Sequence, residues 1–397
     1  MAKRIVNHTI KNNEGVILFL LNPTEQWSPR AVELVISDIE NGIHTYVVDS
    51  INIPETSIHV VNGPKGKYLR TDPDLTKINN LDFVGTLSLL PPLYLGNYPN
   101  NSDSDWSDNL QGVTHSLDHW FFTQKTRIIK FHVSTDLDTN TNNAIRIAHM
   151  PQELKDLGCN HFGDPDYIVI QGTGYLFVPV EEEDGNHECN NEPQIAVFRD
   201  DTTIDYIGAC RLSKQNDVNG TPRAGWCAFS PINGLLHSSH NVISAQSPIF
   251  RYEVNINELV QNQKVVLTGR EDLILKKNGA PILIPQYIQG GCFSPGGILF
   301  ICNGKQKGHN ENLGGIREFD QHGEYLFKSS ITQKPFKYEY HSGIPELQEP
   351  EGITYWNLDP SQGGLFAPNI EGQLHAILFN GIGNKIWLKH YRFDPLI

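Results

Sequence analysis

Apolar positions along most of this chain recur with a period of two in short runs, broken by glycine, proline and asparagine. One compound unit repeats: a small-residue segment, a tight turn, then an apolar run that ends in polar residues. It reads Gln111-Gly112-Val113-Thr114-His115 with Trp120-Phe121-Phe122-Thr123, then Phe162-Gly163-Asp164 with Gly174-Tyr175-Leu176-Phe177-Val178-Pro179. A third copy is Trp226-Cys227-Ala228-Phe229-Ser230-Pro231 with Gly234-Leu235-Leu236-His237-Ser238, and a fourth is Gly291-Cys292-Phe293-Ser294-Pro295 with Gly297-Ile298-Leu299-Phe300-Ile301. The fifth pairs Glu351-Gly352-Ile353-Thr354-Tyr355 with Gly364-Leu365-Phe366-Ala367-Pro368. The anchors Gly112, Gly163, Cys227, Gly291 and Gly352 lie 51, 64, 64 and 61 residues apart. Such spacing predicts four-stranded blades with long loops, which is a β-propeller. Five blades are visible, and 135–158 or 255–285 has room for a sixth. Third strands are predicted at 127–133, 194–198, 249–254, 315–319 and 374–378, with edge strands at 273–275 and 325–327.

Residues 1–92 do not carry the repeat and predict a small α+β domain. Val16 to Leu21 reads as a buried strand. Ser28-Pro29-Arg30 predicts a helix start, with Ser28 as cap and Val32, Leu34, Val35 and Ile39 as the apolar face; Asn41-Gly42 ends it. His44 to Val48 and Ser57 to Val61 read as strands. Residues 93–110, rich in Asn, Ser, Asp and Pro, read as a linker. The propeller is then expected over 111–397.

The segments Val35 to Gly42, Tyr46-Val47-Val48, His59 to Gly63, Lys67-Tyr68-Leu69-Arg70-Thr71 and Lys77-Ile78-Asn79-Asn80-Leu81 resemble a small, uncharacterised bacterial domain over about 30–92. That family has no assigned chemistry, so the resemblance implies a boundary rather than an activity. Here Asp82-Phe83-Val84-Gly85 intervenes before Leu90-Pro91, where the family has its leucine-proline earlier. The propeller region resembles the bacterial lactonase-like and strictosidine-synthase-like class through Glu349-Pro350-Glu351-Gly352-Ile353. In that class inner-strand carboxylates face the axial channel and bind calcium, which implies a divalent cation (Ca or Mg) here.

Composition narrows the partners. Net charge is −14 over 397 residues, which opposes nucleic acid and anionic membranes as general partners. No apolar run approaches the ~20 residues of a membrane span, and no signal peptide is legible, so cytoplasmic residence is expected. The six cysteines form no CxxC pair, which argues against structural zinc.

Candidate chemistry follows from the repeat. A glutamate before an inner-strand glycine has room to face the axis, so Glu351 is a candidate metal ligand or general base; a carboxylate satisfied by backbone N–H groups of a neighbouring blade is the structural reading. His161, Asp164 and Asp166 cluster around Gly163: His161 as acid–base catalyst, Asp164 as cation ligand, with turn capping as the structural reading. His115 is a third catalytic candidate. Gln111, Asp118, Trp226 and His237 are candidates for substrate contacts, although Asp118-His119 also suits a hydrogen bond that stiffens a turn. The residues before the anchors differ from blade to blade, which fits one asymmetric axial site rather than five equivalent ones. Two functions stay open. One is a metal-assisted hydrolase or lyase acting on a small-molecule ligand. The other is a non-catalytic glycan- or protein-binding module, with Trp106, Trp120, Trp226 and Trp356 as stacking platforms and the N-terminal domain as adaptor. Oligomeric state is not legible.

Overall fold

The computed structural model describes residues 2–11, 16–22, 25, 27–50, 53–64, 66–71, 81, 85–86, 92–139, 146–182, 193–212, 224–284, 287–304, 314–326, 348–380 and 385–393. The protein is mainly β. The predicted signature segment 77–80 lies outside the described residues, as does position 327 of the predicted edge strand 325–327.

Five antiparallel sheets follow one another along the chain. The first is Leu110–His115, His119–Gln124, Arg127–His132 and Arg146–His149. In the second, His161–Phe162 and Asp166–Ile170 both pair with Thr173–Glu181, followed by Gln194–Asp200 and Ile204–Arg211. The third is Ala228–Phe229, Leu236–Ser238, Phe250–Val254 and Leu267–Gly269. The fourth is Ile288–Phe293, Leu299–Asn303 and Gly315–Phe319, to which Tyr325 adds a bridge at Phe319. The fifth is Gln348–Tyr355, Leu374–Asn380 and Lys385–Arg392, completed by Leu93–Ser102. The first strand of each sheet touches the first strand of the next, and the fifth touches the first. The five inner strands therefore form a closed ring, the geometry of a five-bladed propeller.

Two boundaries differ from the sequence reading. Residues 93–102 are not a linker: they pair with 385–392 as the outermost strand of the fifth blade. An edge strand leaves N–H and C=O groups unpaired, and this segment satisfies them while closing the ring. In the same blade, 364–368 is not the second strand. Asp359 caps the short turn Pro360–Gln362, Gly363 sits at φ 76°, and Leu365 and Phe366 face solvent. The second strand is Leu374–Asn380, so the residues expected to be third are second.

A ring of glycines sets how closely the inner strands approach. A Cβ on Gly112 would lie 2.4 Å from Asp164 Cα, one on Gly163 2.3 Å from Gly225 O, and one on Gly352 2.6 Å from Gly112 Cα. Gly290 and Gly225 complete the ring, one and two residues before the anchors Gly291 and Cys227. Backbone atoms cannot step aside as a flexible side chain can. Gly112→Ala is therefore expected to cost about 2 kcal/mol of stability by overpacking, measured as a shift in denaturant midpoint; a midpoint unchanged from wild type would remove the close-approach argument.

The N-terminal residues form two further sheets. One has strand order Ala2–Val6, His44–Ser50, Ile53–Gly63, Gly66–Thr71; the other has Arg30–Ala31, Ile17–Leu21, His8–Lys11, Gly85–Thr86. The helix Val32–Glu40 starts three residues later than a Ser28 cap predicts. Arg30–Ala31 pairs with Phe19 and Leu20, and Ser28 Oγ instead accepts the Asn22 N–H at 3.0 Å. Buried Asp38 holds Arg30, Arg4 and the Tyr46 hydroxyl. Ile10, Phe19 and Leu21 pack into one core with Phe300, Ile316, Trp387 and Tyr391, so this layer rests on the fourth and fifth blades.

No helix among the described residues is long and apolar enough to cross a membrane. Cys159 is buried and disulfide-bonded, whereas Cys210, Cys227, Cys292 and Cys302 are free thiols.

Candidate functional site: the axis and its cavity

At the level of the glycine ring the axis is filled by one side chain, Asp164. It is 0% exposed. Its Oδ1 accepts the Val113 N–H at 2.9 Å, and its Oδ2 accepts those of Gly291 at 3.2 Å and Ile353 at 3.1 Å. Its backbone N–H donates to Gly225 O, and its carbonyl accepts from Cys227 N–H. One residue of the second blade thus binds all four others. Pro165, which has no N–H to give, interrupts the inner strand beside it, and this break frees Asp164 to turn inward. Burial pushes its carboxyl well above the ordinary carboxylate range, against the pull of the three N–H groups.

That placement revises the expected role of Asp164. A ligand to a cation needs free oxygen lone pairs, and these oxygens are enclosed by N–H donors whose positive ends repel a cation. Among the described residues no group of three or more His, Cys, Asp or Glu side chains could hold a metal ion. Glu351 is 7% exposed and lies one residue before Gly352, on the N-terminal side of the glycine ring. The described residues at the axis do not fit a calcium or magnesium site. The carboxylate satisfied by neighbouring blades, considered in the sequence for Glu351, is realised by Asp164.

Beyond the ring, the C-terminal ends of the inner strands diverge around a cavity of about 500 Å³. His115 comes from the first blade, Asp166, Tyr167 and Ile168 from the second, Phe229, Ser230 and Pro231 from the third. The fourth supplies Cys292, Phe293, Ser294 and Pro295, and the fifth Thr354 and Tyr355. The repeated Phe-Ser-Pro triplet builds two adjacent walls. Each serine folds its own turn: Ser230 N–H donates to Leu235 O and Ser294 N–H to Ile298 O, and the hydroxyls accept from Ile232 and Ile298 N–H.

Asp166 is the carboxyl at this cavity. Oδ1 accepts the Tyr167 N–H at 2.8 Å and, more weakly, the Thr114 hydroxyl at 3.4 Å; Oδ2 accepts the Phe229 N–H at 2.7 Å. Burial raises it to about 6, against the opposing pull of those donors. A carboxyl tuned there exchanges protons near neutral pH. The sequence contained a signal for it, the Asp-Pro-Asp run, but not which aspartate would be consumed by the axis.

The other sequence candidates separate. His115 reaches the cavity, but Nδ1 lies 2.8 Å from Ser116 O and Nε2 2.9 Å from Tyr355 O, and the ring stacks on Trp356 at 4.5 Å. Burial lowers its pKa, so the ring is neutral near pH 7 with both nitrogens facing backbone carbonyls. His161 pairs with Glu181 at the far end of the same inner strand as Asp166, away from the cavity. Gln111 is likewise on the far side of Gly112. Trp226 is fully buried, laid over Gly291 with Nε1 donating to Ser239 Oγ at 2.8 Å, so it is core rather than a substrate contact. His237 is 2% exposed, its Nδ1 lies 2.9 Å from Leu235 O, and burial pushes it down to about 4. Asp118 bonds His119 Nδ1 at 2.6 Å on the hairpin, the turn-stiffening contact. Trp106, Trp120 and Trp356 are also buried, which removes all four tryptophans as exposed stacking platforms.

Residues 5–83 match a family described as a protein of unknown function, DUF3892. No curated protein matches the chain. Among solved structures, a GH43 endo-arabinanase from Bacillus licheniformis is 10% identical, with a TM-score of 0.38 over 74% of this chain and 96% of that one. An exo-β-1,3-galactanase from Clostridium thermocellum is 10% identical, with a TM-score of 0.43 over 74% of this chain and 61% of that one. The calcium-binding protein regucalcin from Agrobacterium tumefaciens is 8% identical, with a TM-score of 0.33 over 76% and 97%.

Proposed function

We propose that this protein binds one small molecule in the asymmetric axial cavity and that Asp166 exchanges a proton with it, as in a metal-independent hydrolase or lyase. The observation that carries this reading is a single half-buried carboxyl, raised to about 6, among the residues lining a cavity of about 500 Å³. As a base, Asp166 accepts a proton from a water or a hydroxyl and returns it to the departing group. His115 acts as a positioning residue, because its ring lies between the Ser116 and Tyr355 carbonyls, donating to one of them, and stacks on Trp356.

The sign of the pH effect follows from the raised value. Asp166 is protonated below about 6 and ionised above it, so a step using the carboxylate falls off as pH drops through 6. The titratable groups nearby shift this little: the thiols of Cys227 and Cys292 and the hydroxyl of Tyr167 are pushed up, and His115 is pushed down. A metabolite screen by thermal shift is expected to find ligands that raise the melting temperature of wild type. Ile168→Trp, which fills the cavity from its wall, is expected to abolish that rise while remaining folded. Ligands that stabilise both proteins equally would place the site elsewhere and sink the reading.

A further inference from the structure

We infer that the axial cavity takes a small organic cation, an alkylammonium or quaternary ammonium group held between the Asp166 carboxylate and the rings of Phe229, Phe293 and Tyr355. This rests on the reading of the cavity as a small-molecule site and goes further by fixing the charge of the ligand.

The first argument is the charge of the lining. Among the described residues no lysine or arginine lines the cavity, and Asp166 is its one acidic side chain. His115, the one basic group, is kept neutral by burial. Above pH 6 the site is therefore a negative point in a wall that is otherwise uncharged. An anion would find no cationic partner there, and burying an unpaired charge is expensive. The net charge of −14 adds a long-range field that draws cations toward the protein.

The second argument is the aromatic geometry. The three ring-bearing residues come from three different blades, so they line the cavity from more than one side. Each is braced by a ring behind it. Phe229 meets Phe177 edge-on at 4.8 Å, Phe293 meets His237 at 5.0 Å, and Tyr355 stacks on Phe300 at 6.0 Å, whereas Tyr167 stacks on Phe121 and donates its hydroxyl to Asp200 at 3.3 Å. Braced rings keep their places when the cavity is empty. Aromatic faces carry negative potential and attract a cation, best where water is excluded.

The third argument is how the carboxylate is tied to those rings. The two shortest hydrogen bonds to Asp166 come from the backbone N–H groups of Tyr167 and Phe229 themselves. The Phe229 N–H thereby ties the carboxylate of the second blade to a ring-bearing residue of the third. A polyhydroxy ligand is served less well, since Ser230 and Ser294 are buried within their own turns.

Isothermal titration of the full chain at pH 8 tests this, with choline and phenethylamine against their neutral counterparts 3,3-dimethyl-1-butanol and 3-phenyl-1-propanol. The cations are expected to bind at least about ten-fold more tightly than the neutral pair, a preference typical of a desolvated cation–π site. Asp166→Asn should erase that preference. Should that variant fail to fold, Phe293→Leu and Tyr355→Leu, which keep the carboxylate, are expected to weaken choline binding several-fold with little change for the alcohols. If the alcohols bind as tightly as the cations, and Ile168→Trp abolishes both, the ligand charge is wrong while the small-molecule site stands. If none of the four probes binds, and no screened metabolite binds in a manner sensitive to Ile168→Trp, both readings fall.

Discussion

Asp164→Ala is expected to remove about 5 kcal/mol of stability and to leave much of the chain unfolded in dilute buffer. The substitution deletes the acceptor for three N–H groups, those of Val113, Gly291 and Ile353. All three donors lie at the ring centre, where Asp164 is fully enclosed, and water cannot replace the lost partner without opening the ring. A buried donor left unsatisfied costs about 1–3 kcal/mol, so three cost a large part of the 5–15 kcal/mol that holds a typical domain. Asp164→Asn is the informative companion. It keeps one carbonyl oxygen but turns an amide N–H₂ toward at least one backbone donor, and an intermediate loss is expected. Guanidinium unfolding of the two variants checks this. An alanine variant within about 1 kcal/mol of wild type would show that the blades do not depend on the axial carboxyl.

The second large effect has the opposite sign. Glu318 lies on the third strand of the fourth blade, opposite Phe300, and is 2% exposed. Its Oε1 is buried without a hydrogen-bond partner among the described residues. Burial alone raises it from 4.5 to about 8. A raised carboxyl favours the folded state fully below 4.5, and that contribution is lost as pH rises through 8. Each pH unit within that window is worth at most about 1.4 kcal/mol. Between pH 4.5 and pH 8 the wild type therefore forfeits several kcal/mol, on the order of 4, that a side chain unable to ionise would keep. Glu318→Gln is expected to match wild type near pH 4.5 and to exceed it increasingly toward pH 8. Comparing the two across pH cancels the contributions of Asp164 and Asp166, whose values are also raised. A gap that stays constant from pH 5 to pH 8 would mean that Glu318 ionises freely in the folded chain.

Much of the scaffold was legible in the sequence, for reasons that are local. A strand next to the axis needs glycine wherever a Cβ would lie within 2.6 Å of a neighbour's backbone, so Gly112, Gly163 and Gly352 marked three inner strands correctly. The Phe229-Ser230-Pro231 and Phe293-Ser294-Pro295 triplets fold their own turns through the serine, and so repeat visibly. Where the local signal was shared by two neighbours, the register slipped, as with Gly291 for Gly290 and Cys227 for Gly225.

The closing strand was hidden for a different reason. Residues 93–102 contain Asn, Pro and Gly in loop-like proportion, and only their pairing with 385–392, nearly three hundred residues away, makes them a strand. The tryptophans show the same limit. Trp226 has the composition of a binding platform, and its burial depends on Gly291 in the next blade leaving room for the indole.

The sequence by itself determined the repeat, the small residues at the axis and the non-equivalence of the five axial positions, because each follows from contacts between residues close in the chain or from a steric requirement at a single position. The allocation of roles between Asp164 and Asp166 was decided only by the tertiary structure. The two aspartates stand two residues apart around one proline. What separates them is which backbone N–H groups of four other blades converge on the first, and which aromatic walls leave the second open to a cavity. Those neighbours are brought together by ring closure alone, and no short-range pattern encodes them.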